Sequence, residues 1–506
     1  GSSRAVPYPY LPPGLTRPGG RKHSMEAMAR GLWLALLAAP AGVSGMAVAR
    51  ARSGAHDLQK AERPQSYRQL LHSYKDLQYY GSMTIGGQNL QVVMDTGSVD
   101  FVVLSNKCTQ WCGDRTHFDA GASRTYMDGN LSLVLSYGSG SLLGREAYER
   151  VALGPLEADT APFWEVYDAS MPLLMRSGFE AIIGLGPMGN DSAVMEPGNP
   201  GNEMSFAVLF KKLGVENYSI CLGTGPQADG YLTWNDPHIQ EYPELFARLE
   251  VPVESGYWMV TLTDFRLGNQ MIACESGCGA VLDSGTSLIA APFEPFSELS
   301  SRADDLITDC SDITGLPDLH FKLDGVPFSL PPDSYIGKVH GKTSKDISAH
   351  FRKSGNENRS CQAALMHVSM DSAMGAVWIL GMPFFRKYYS VFSQPTAKSG
   401  AAVYTTLASE ECLPAAEQEQ QLLAVHRGPA SAAPAQPART IDASALHVPM
   451  WATAYSAEAY GRPGQNLLSK GRGLSRSAGR KVVRGVPSRL RHDAEEGGAH
   501  ALLVEQ

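Results

Sequence analysis

Two short segments of this chain place the residue types of acid–base chemistry in matching surroundings. The first reads Val92-Val93-Met94-Asp95-Thr96-Gly97-Ser98, the second Ala280-Val281-Leu282-Asp283-Ser284-Gly285-Thr286. Each is a short apolar β-type run ending in Asp, a hydroxyl residue, Gly and a second hydroxyl residue. One such turn means little, because Asp, Ser and Gly are what any tight turn selects. A pair means more. Two carboxylates brought within a few ångströms cannot both ionise easily, so Asp95 and Asp283 would share one proton. One carboxylate could then take a proton from a bound water while the other protonates or hydrogen-bonds a substrate carbonyl. The neighbours suit that task. Gly97 and Gly285 allow close backbone approach, and Ser98 and Thr286 offer hydroxyl donors to the carboxylates. Thr96 and Ser284 are placed to bond the opposite turn and hold the two Asp together.

The surrounding elements repeat with the motif. An apolar pair and a glycine follow each turn, Ile182-Ile183-Gly184 and Ile379-Leu380-Gly381, with the glycine 89 and 98 residues beyond its Asp. One repeat at a half-chain interval predicts two similar lobes, since a solenoid needs more and shorter units. Residues 132–137 and 256–262 are β-branched or aromatic runs punctuated by glycine turns, and long amphipathic helices are scarce. Residues 206–213 and 293–301 are the better short helix candidates. The expected class is all-β and bilobal, built of short strands in a sandwich or barrel. Pro243 and Pro252 interrupt the pattern and set the boundary, giving an N-terminal lobe over 64–245 and a C-terminal lobe over 246–412.

Composition narrows the class. The chain has 506 residues, 43% hydrophobic and 19% charged, which is enough for a large core and excludes disorder throughout. The net charge of −8 is uneven: residues 1–74 carry +7 and 413–506 carry +3, leaving −18 on 75–412. An acidic body repels nucleic acid. Residues 31–49 are uncharged and flanked by Arg30, Arg50 and Arg52, which reads as a signal peptide over 25–49 starting at Met25 or Met28. Residues 1–24 are expected to be an upstream segment, 50–63 a short prosegment of a zymogen, and 413–506 a disordered basic tail. The route is the secretory pathway, to a secreted, endolysosomal or vacuolar destination, with no stable membrane span in the mature form. The closely spaced Cys108/Cys112 and Cys274/Cys278 could in principle build a four-thiolate zinc site. The export signal and the lack of a zinc-ribbon spacing favour small disulfide loops. Asn130, Asn190, Asn217 and Asn358 open glycosylation sequons.

The residues resemble the pepsin-like aspartic proteases, of the cathepsin D and pepsin type, over about 70–406. Beyond the two Asp turns, Leu135-Ser136-Tyr137-Gly138-Ser139-Gly140-Ser141 resembles that family's flap, a hairpin that closes over the peptide, with Tyr137 as the flap tyrosine and Gly138 and Ser139 at its tip. Tyr257-Trp258, the Cys274/Cys278 loop and Trp378-Ile379-Leu380-Gly381 also fall in family order. The resemblance implies disulfides Cys108–Cys112, Cys274–Cys278 and Cys310–Cys361; Cys221 and Cys412 are left over, and nothing in the sequence pairs them. It implies no cofactor and no metal. The chain departs from the family in two places near the first turn. Val102 stands where the family usually has Trp, removing the flap tyrosine's indole partner, and Asp100 stands where a neutral Asn is common. Lys60 in the short prosegment and Lys75 beyond it are the candidates to pair with the catalytic carboxylates.

Serine and cysteine hydrolases find no motif here, and 138–144 has the wrong glycine spacing for a dinucleotide loop. Two functions remain. One is an endopeptidase, a monomer acting at acidic pH on extended polypeptides with apolar residues flanking the scissile bond. The other is a non-catalytic peptide-binding protein on the same fold.

Overall fold

The computed structural model describes residues 65–108, 111–113, 115–137, 139–187, 206–252, 255–307, 310–343, 345–351, 361–396, 399–415 and 436–447, with the backbone of the strand Lys481–Arg484. The upstream segment, the signal peptide, the prosegment with Lys60, Asn190, Asn358 and the flap residue Gly138 lie outside the described residues.

The architecture is β-rich throughout. In the first half, Tyr67–Tyr74, Gln78–Ile85 and Gln88–Asp95 run antiparallel in succession, and Gln88–Asp95 lies parallel to Ala181–Gly184. The register pairs Asp95 with Gly184. The outer half of Gln88–Asp95 alternates, while Val92 to Asp95 are all buried. That loss of alternation is what a strand covered on both faces requires. Phe101–Leu104 passes antiparallel to Ala181–Gly184, pairing Val102 with Ile182, and parallel to Leu156–Ser170, pairing Val102 with Trp164. The second half repeats the device. Cys278–Leu282, buried at every residue, lies parallel to Gly375–Leu380 and pairs Leu282 with Leu380.

A shared sheet joins the halves. From Tyr67–Tyr74 it continues through Gly230–Trp234, Asn217–Cys221, Tyr388–Ser393 and Ala402–Leu407 to Ala247–Glu250. Above it Tyr218 stacks on Phe392 at 5.1 Å, and Trp258 meets the same ring edge-on at 5.1 Å. The Tyr218 hydroxyl and the Trp258 indole both donate to the Leu185 carbonyl, at 2.6 and 2.8 Å. These polar anchors fix the end of the strand that faces Asp95.

All eight cysteines are paired: Cys108–Cys112, Cys274–Cys278, Cys310–Cys361 and Cys221–Cys412. The last ties the shared sheet to the end of the second lobe across 191 residues. The helices fall at Phe206–Leu213 and at Phe293–Leu306, the latter one turn longer than its sequence pattern suggests. The 256–262 run enters its strand only at Met259, after a turn at Gly256. Asn217 is buried inside a strand, whereas Asn130 is exposed on the hairpin. Among the described residues no helix is long and apolar enough to cross a membrane.

One expectation needs correction. Residues 436–447, inside the span read as a disordered tail, are ordered: Arg439–Asp442 forms a strand parallel to Ile336–His340. The strand Lys481–Arg484 pairs antiparallel with Leu131 to Val134 of the Met127–Tyr137 strand. Neither strand pairs with a segment near it in sequence, so no local hairpin pattern marks it. Each borrows an edge made some 100 residues or more upstream.

Candidate active site

Each Asp stands at the end of a buried strand, and its own turn holds it. For Asp95, the Gly97 amide donates to Oδ1 at 3.0 Å and the Ser98 hydroxyl to Oδ2 at 2.5 Å. For Asp283, the Gly285 amide donates to Oδ1 at 2.7 Å and the Thr286 hydroxyl to Oδ2 at 2.7 Å. The two sets of bonds are the same atom for atom. Both side chains are fully buried.

The turns also hold each other. Thr96 Oγ1 donates to the Leu282 carbonyl at 2.9 Å and accepts from the Ser284 amide at 2.8 Å. Ser284 Oγ donates to the Met94 carbonyl at 2.6 Å and accepts from the Thr96 amide at 3.1 Å. Each hydroxyl thus serves one donor and one acceptor across the interface, in two-fold fashion. This grip presses each glycine onto the opposite carboxylate. A Cβ on Gly97 would stand 2.4 Å from Asp283 Cγ, and one on Gly285 would stand 2.1 Å from Asp95 Oδ1. No side chain fits there, which is the physical need for glycine at both places.

Burial pushes the Asp283 carboxyl well above the usual carboxylate range. The adjacent Asp95 charge raises it further, against the bonds from Thr286 and Gly285. A site in which one of two adjacent carboxyls keeps its proton holds an acid and a base side by side.

Met127–Tyr137 and Gly140–Leu153 form the hairpin that the sequence reads as a flap. Its register pairs Tyr137 with Gly140, and Ser139 is buried at the turn. Gly140 takes φ +137, and a Cβ there would meet the Ser170 carbonyl at 2.2 Å. Tyr137 is buried in a cluster with Val102, Leu135, Trp164 and Met171. Trp164 was not singled out in the sequence. It lies opposite Val102, and its indole donates to Asp100 at 3.2 Å. An indole is therefore present in this cluster, carried by a different strand and turned to Asp100. Lys75 is not at the dyad: its Nζ bonds Asp442 at 2.9 Å. His447, also unflagged by sequence, bonds the Gly285 carbonyl through Nδ1.

The sequence model of the eukaryotic aspartyl protease family matches residues 78–404. Pepsin A of Canis lupus familiaris is 28% identical over 347 residues, covering 66% of this chain and 83% of that protein. Pepsin A of Gallus gallus is 28% identical over 337 residues, covering 65% and 84%. Renin-2 of Mus musculus is 27% identical over 353 residues, covering 66% and 81%.

Proposed function

The chain belongs to the eukaryotic aspartyl protease family, and from that premise we propose that it is an endopeptidase in which Asp95 and Asp283 hydrolyse peptide bonds. The observation that carries this reading is the crossed packing of the turns, each glycine against the other lobe's carboxylate. In the working state Asp283 keeps the proton and Asp95 carries the charge. Asp95 takes a proton from a water bound between the two carboxyls, and that water adds to the scissile carbonyl carbon. Asp283 delivers its proton to the carbonyl oxygen, so no free oxyanion develops. Proton return to the amine nitrogen then releases the two products.

Thr96, Gly97, Ser98, Ser284, Gly285 and Thr286 act by fixing the carboxylates, and Tyr137, Gly138 and Ser139 by covering the bound peptide. The substrates are extended polypeptides with apolar residues beside the scissile bond, taken up by a monomer. The four disulfides accord with the oxidising secretory route implied by residues 25–49. The lobes 64–245 and 246–412 flank the cleft, and 50–63 is the prosegment of a zymogen.

The test is cleavage of a peptide library by the secreted protein from pH 3 to 7, with and without a statine-type transition-state mimic. Cleavage should decline as pH rises through the raised titration of Asp283, and the mimic should block it. Asp95→Asn and Asp283→Asn should each abolish turnover. A rate that keeps rising above neutral pH, or a clean Asp95→Asn protein that still turns over, refutes the assignment.

A further inference from the structure

Residues 436–447 do more than add a strand. Past Asp442 the chain leaves the Ile336–His340 edge, and Ala443 bonds back to the His340 carbonyl at 2.8 Å. It then runs onto the second catalytic turn. The His447 amide donates to Ser287 Oγ at 2.9 Å, and the Ser287 amide donates to the His447 carbonyl at 3.3 Å. His447 Nδ1 donates to the carbonyl of Gly285, the residue packed on Asp95. Gln78 adds a bond from its side-chain amide to the Ala445 carbonyl at 3.0 Å. Ile441, Ala443, Ala445 and Leu446 are buried in a cluster with Leu77, Val281 and Leu288.

We infer that residues 445–447, which follow a turn at Ala443 and Ser444, are a tethered ligand of the catalytic cleft, with their backbone bonded by Gln78 and Ser287. This rests on the proposed function, since it takes the cleft beside Asp95 and Asp283 as the peptide site. Three features separate it from ordinary core packing. The tail satisfies the Ser287 amide and the Gly285 carbonyl, backbone groups in and next to the second Asp turn. It takes none of the bonds that hold the two carboxylates. It also lies outside 78–404, the part of the chain matched by the family, so the cleft walls are family sequence and the occupant is not. Among the described residues His447 Nε2 is buried without a hydrogen-bond partner. The seated sequence indicates the class of peptide that this side of the cleft accepts: one with small or aliphatic side chains, as the buried Ala445 and Leu446 supply.

The anchor holding the occupant is electrostatic and lies outside the cleft. Asp442 pairs with Lys75 at 2.9 Å, and Arg439 lies between Asp76 and Asp333 at 3.6 and 3.4 Å. The experiment compares binding of a statine-type mimic to the full chain, to Ala445→Glu and to Asp442→Asn. Ala445 is fully buried, so a glutamate there must leave the apolar cluster and take the strand with it. Apparent affinity for a partly occluded site scales with the open fraction, so Ala445→Glu should bind the mimic about tenfold or more tighter. Asp442→Asn removes the charge paired with Lys75 and keeps an Oδ1 acceptor for the Ser444 amide and hydroxyl, so it should tighten binding about threefold, which guards against misfolding of the first variant. Affinities equal to that of the full chain in both variants overturn the inference. Tighter binding with no peptide cleavage by any form sustains the tethered ligand and removes the endopeptidase reading alone.

Discussion

Thr96→Val tests whether the two turns hold one another. Thr96 is fully buried, and its hydroxyl serves the Leu282 carbonyl and the Ser284 amide, both in the other lobe. Valine keeps the shape and removes the hydroxyl, leaving those two backbone groups without partners where water has no access. A buried orphan costs about 1–3 kcal/mol, so the pair should cost about 2–6 kcal/mol. That is a large share of the roughly 5–15 kcal/mol that stabilises a folded protein. Ser284→Ala orphans a different pair, the Thr96 amide and the Met94 carbonyl, and should cost a similar amount. Stability is read from urea midpoints in an Asp283→Asn background, which prevents self-cleavage in both members of each comparison. Activity is read in the unmodified background. Loss of the grip lets the carboxylates drift, and a displacement of about 1 Å costs on the order of 100-fold in rate. A loss under about 1 kcal/mol with kcat intact would refute the reasoning, because then the cross-lobe hydroxyls hold nothing that catalysis needs.

Three further perturbations test the second turn, the long disulfide and the docked tail. Gly285→Ala puts a Cβ 2.1 Å from Asp95 Oδ1; overpacking should cost about 1–3 kcal/mol, and kcat should fall about 100-fold with KM much less affected. Wild-type kcat in a folded Gly285→Ala protein would show that the turns have room to spare. Replacing both Cys221 and Cys412 by Ser opens a 191-residue loop, for which chain entropy gives up to about 5 kcal/mol of lost stability, measurable as a lower urea midpoint; no shift would mean that the shared sheet alone closes the lobes. Burial pushes the Asp442 carboxyl up, but the Ser444 and Lys75 bonds prevail and hold it down at about 2. A depressed carboxyl stabilises the docked segment above the free value of about 4 and stops doing so as pH falls towards 2. Amide exchange of residues 436–447, corrected for intrinsic rate, should therefore quicken between about pH 4 and 2, and protection unchanged over that interval would count against the Lys75–Asp442 anchor.

The two Asp turns were legible because their chemistry is local. Asp, hydroxyl, glycine and hydroxyl occupy consecutive positions, and the duplication pairs them without any knowledge of contacts. The apolar pairs ending at Gly184 and Gly381 were legible for the same reason, and both lie in the strands parallel to the Asp strands. What depends on register was not. Trp164 lies 62 residues beyond Val102 in sequence, and only the parallel pairing of their strands sets it opposite. Cys221 and Cys412 have no local signature, since the bond exists only because Asn217–Cys221 and the end of the second lobe meet at the shared sheet. The tail misled for a further reason. Ile441, Ala443 and Ala445 do alternate, but one isoleucine and two alanines bury too little area to hold a strand alone. Its order comes from the Ile336–His340 edge and from Lys75, a residue that the sequence had directed at the catalytic carboxylates.

Every bond that fixes Asp95 or Asp283 is made within the two turns, so the site needs no ligand to assemble it. The tail engages the same second turn from its other polar groups, the Gly285 carbonyl and the Ser287 amide and hydroxyl. A turn that spends its Gly285 amide on Asp283 still has the carbonyl of the same residue to offer to a strand in the cleft. Catalytic alignment and peptide binding therefore use opposite poles of one backbone segment and do not compete for the same groups. Occupancy by the tail can change without disturbing the carboxylates, and displacing it should uncover a site already formed. That separation predicts that tail variants alter apparent affinity and leave the rate at saturation unchanged, whereas Thr96→Val does the reverse. A tail variant that changed kcat and left KM alone would mean that the segment shapes the dyad itself.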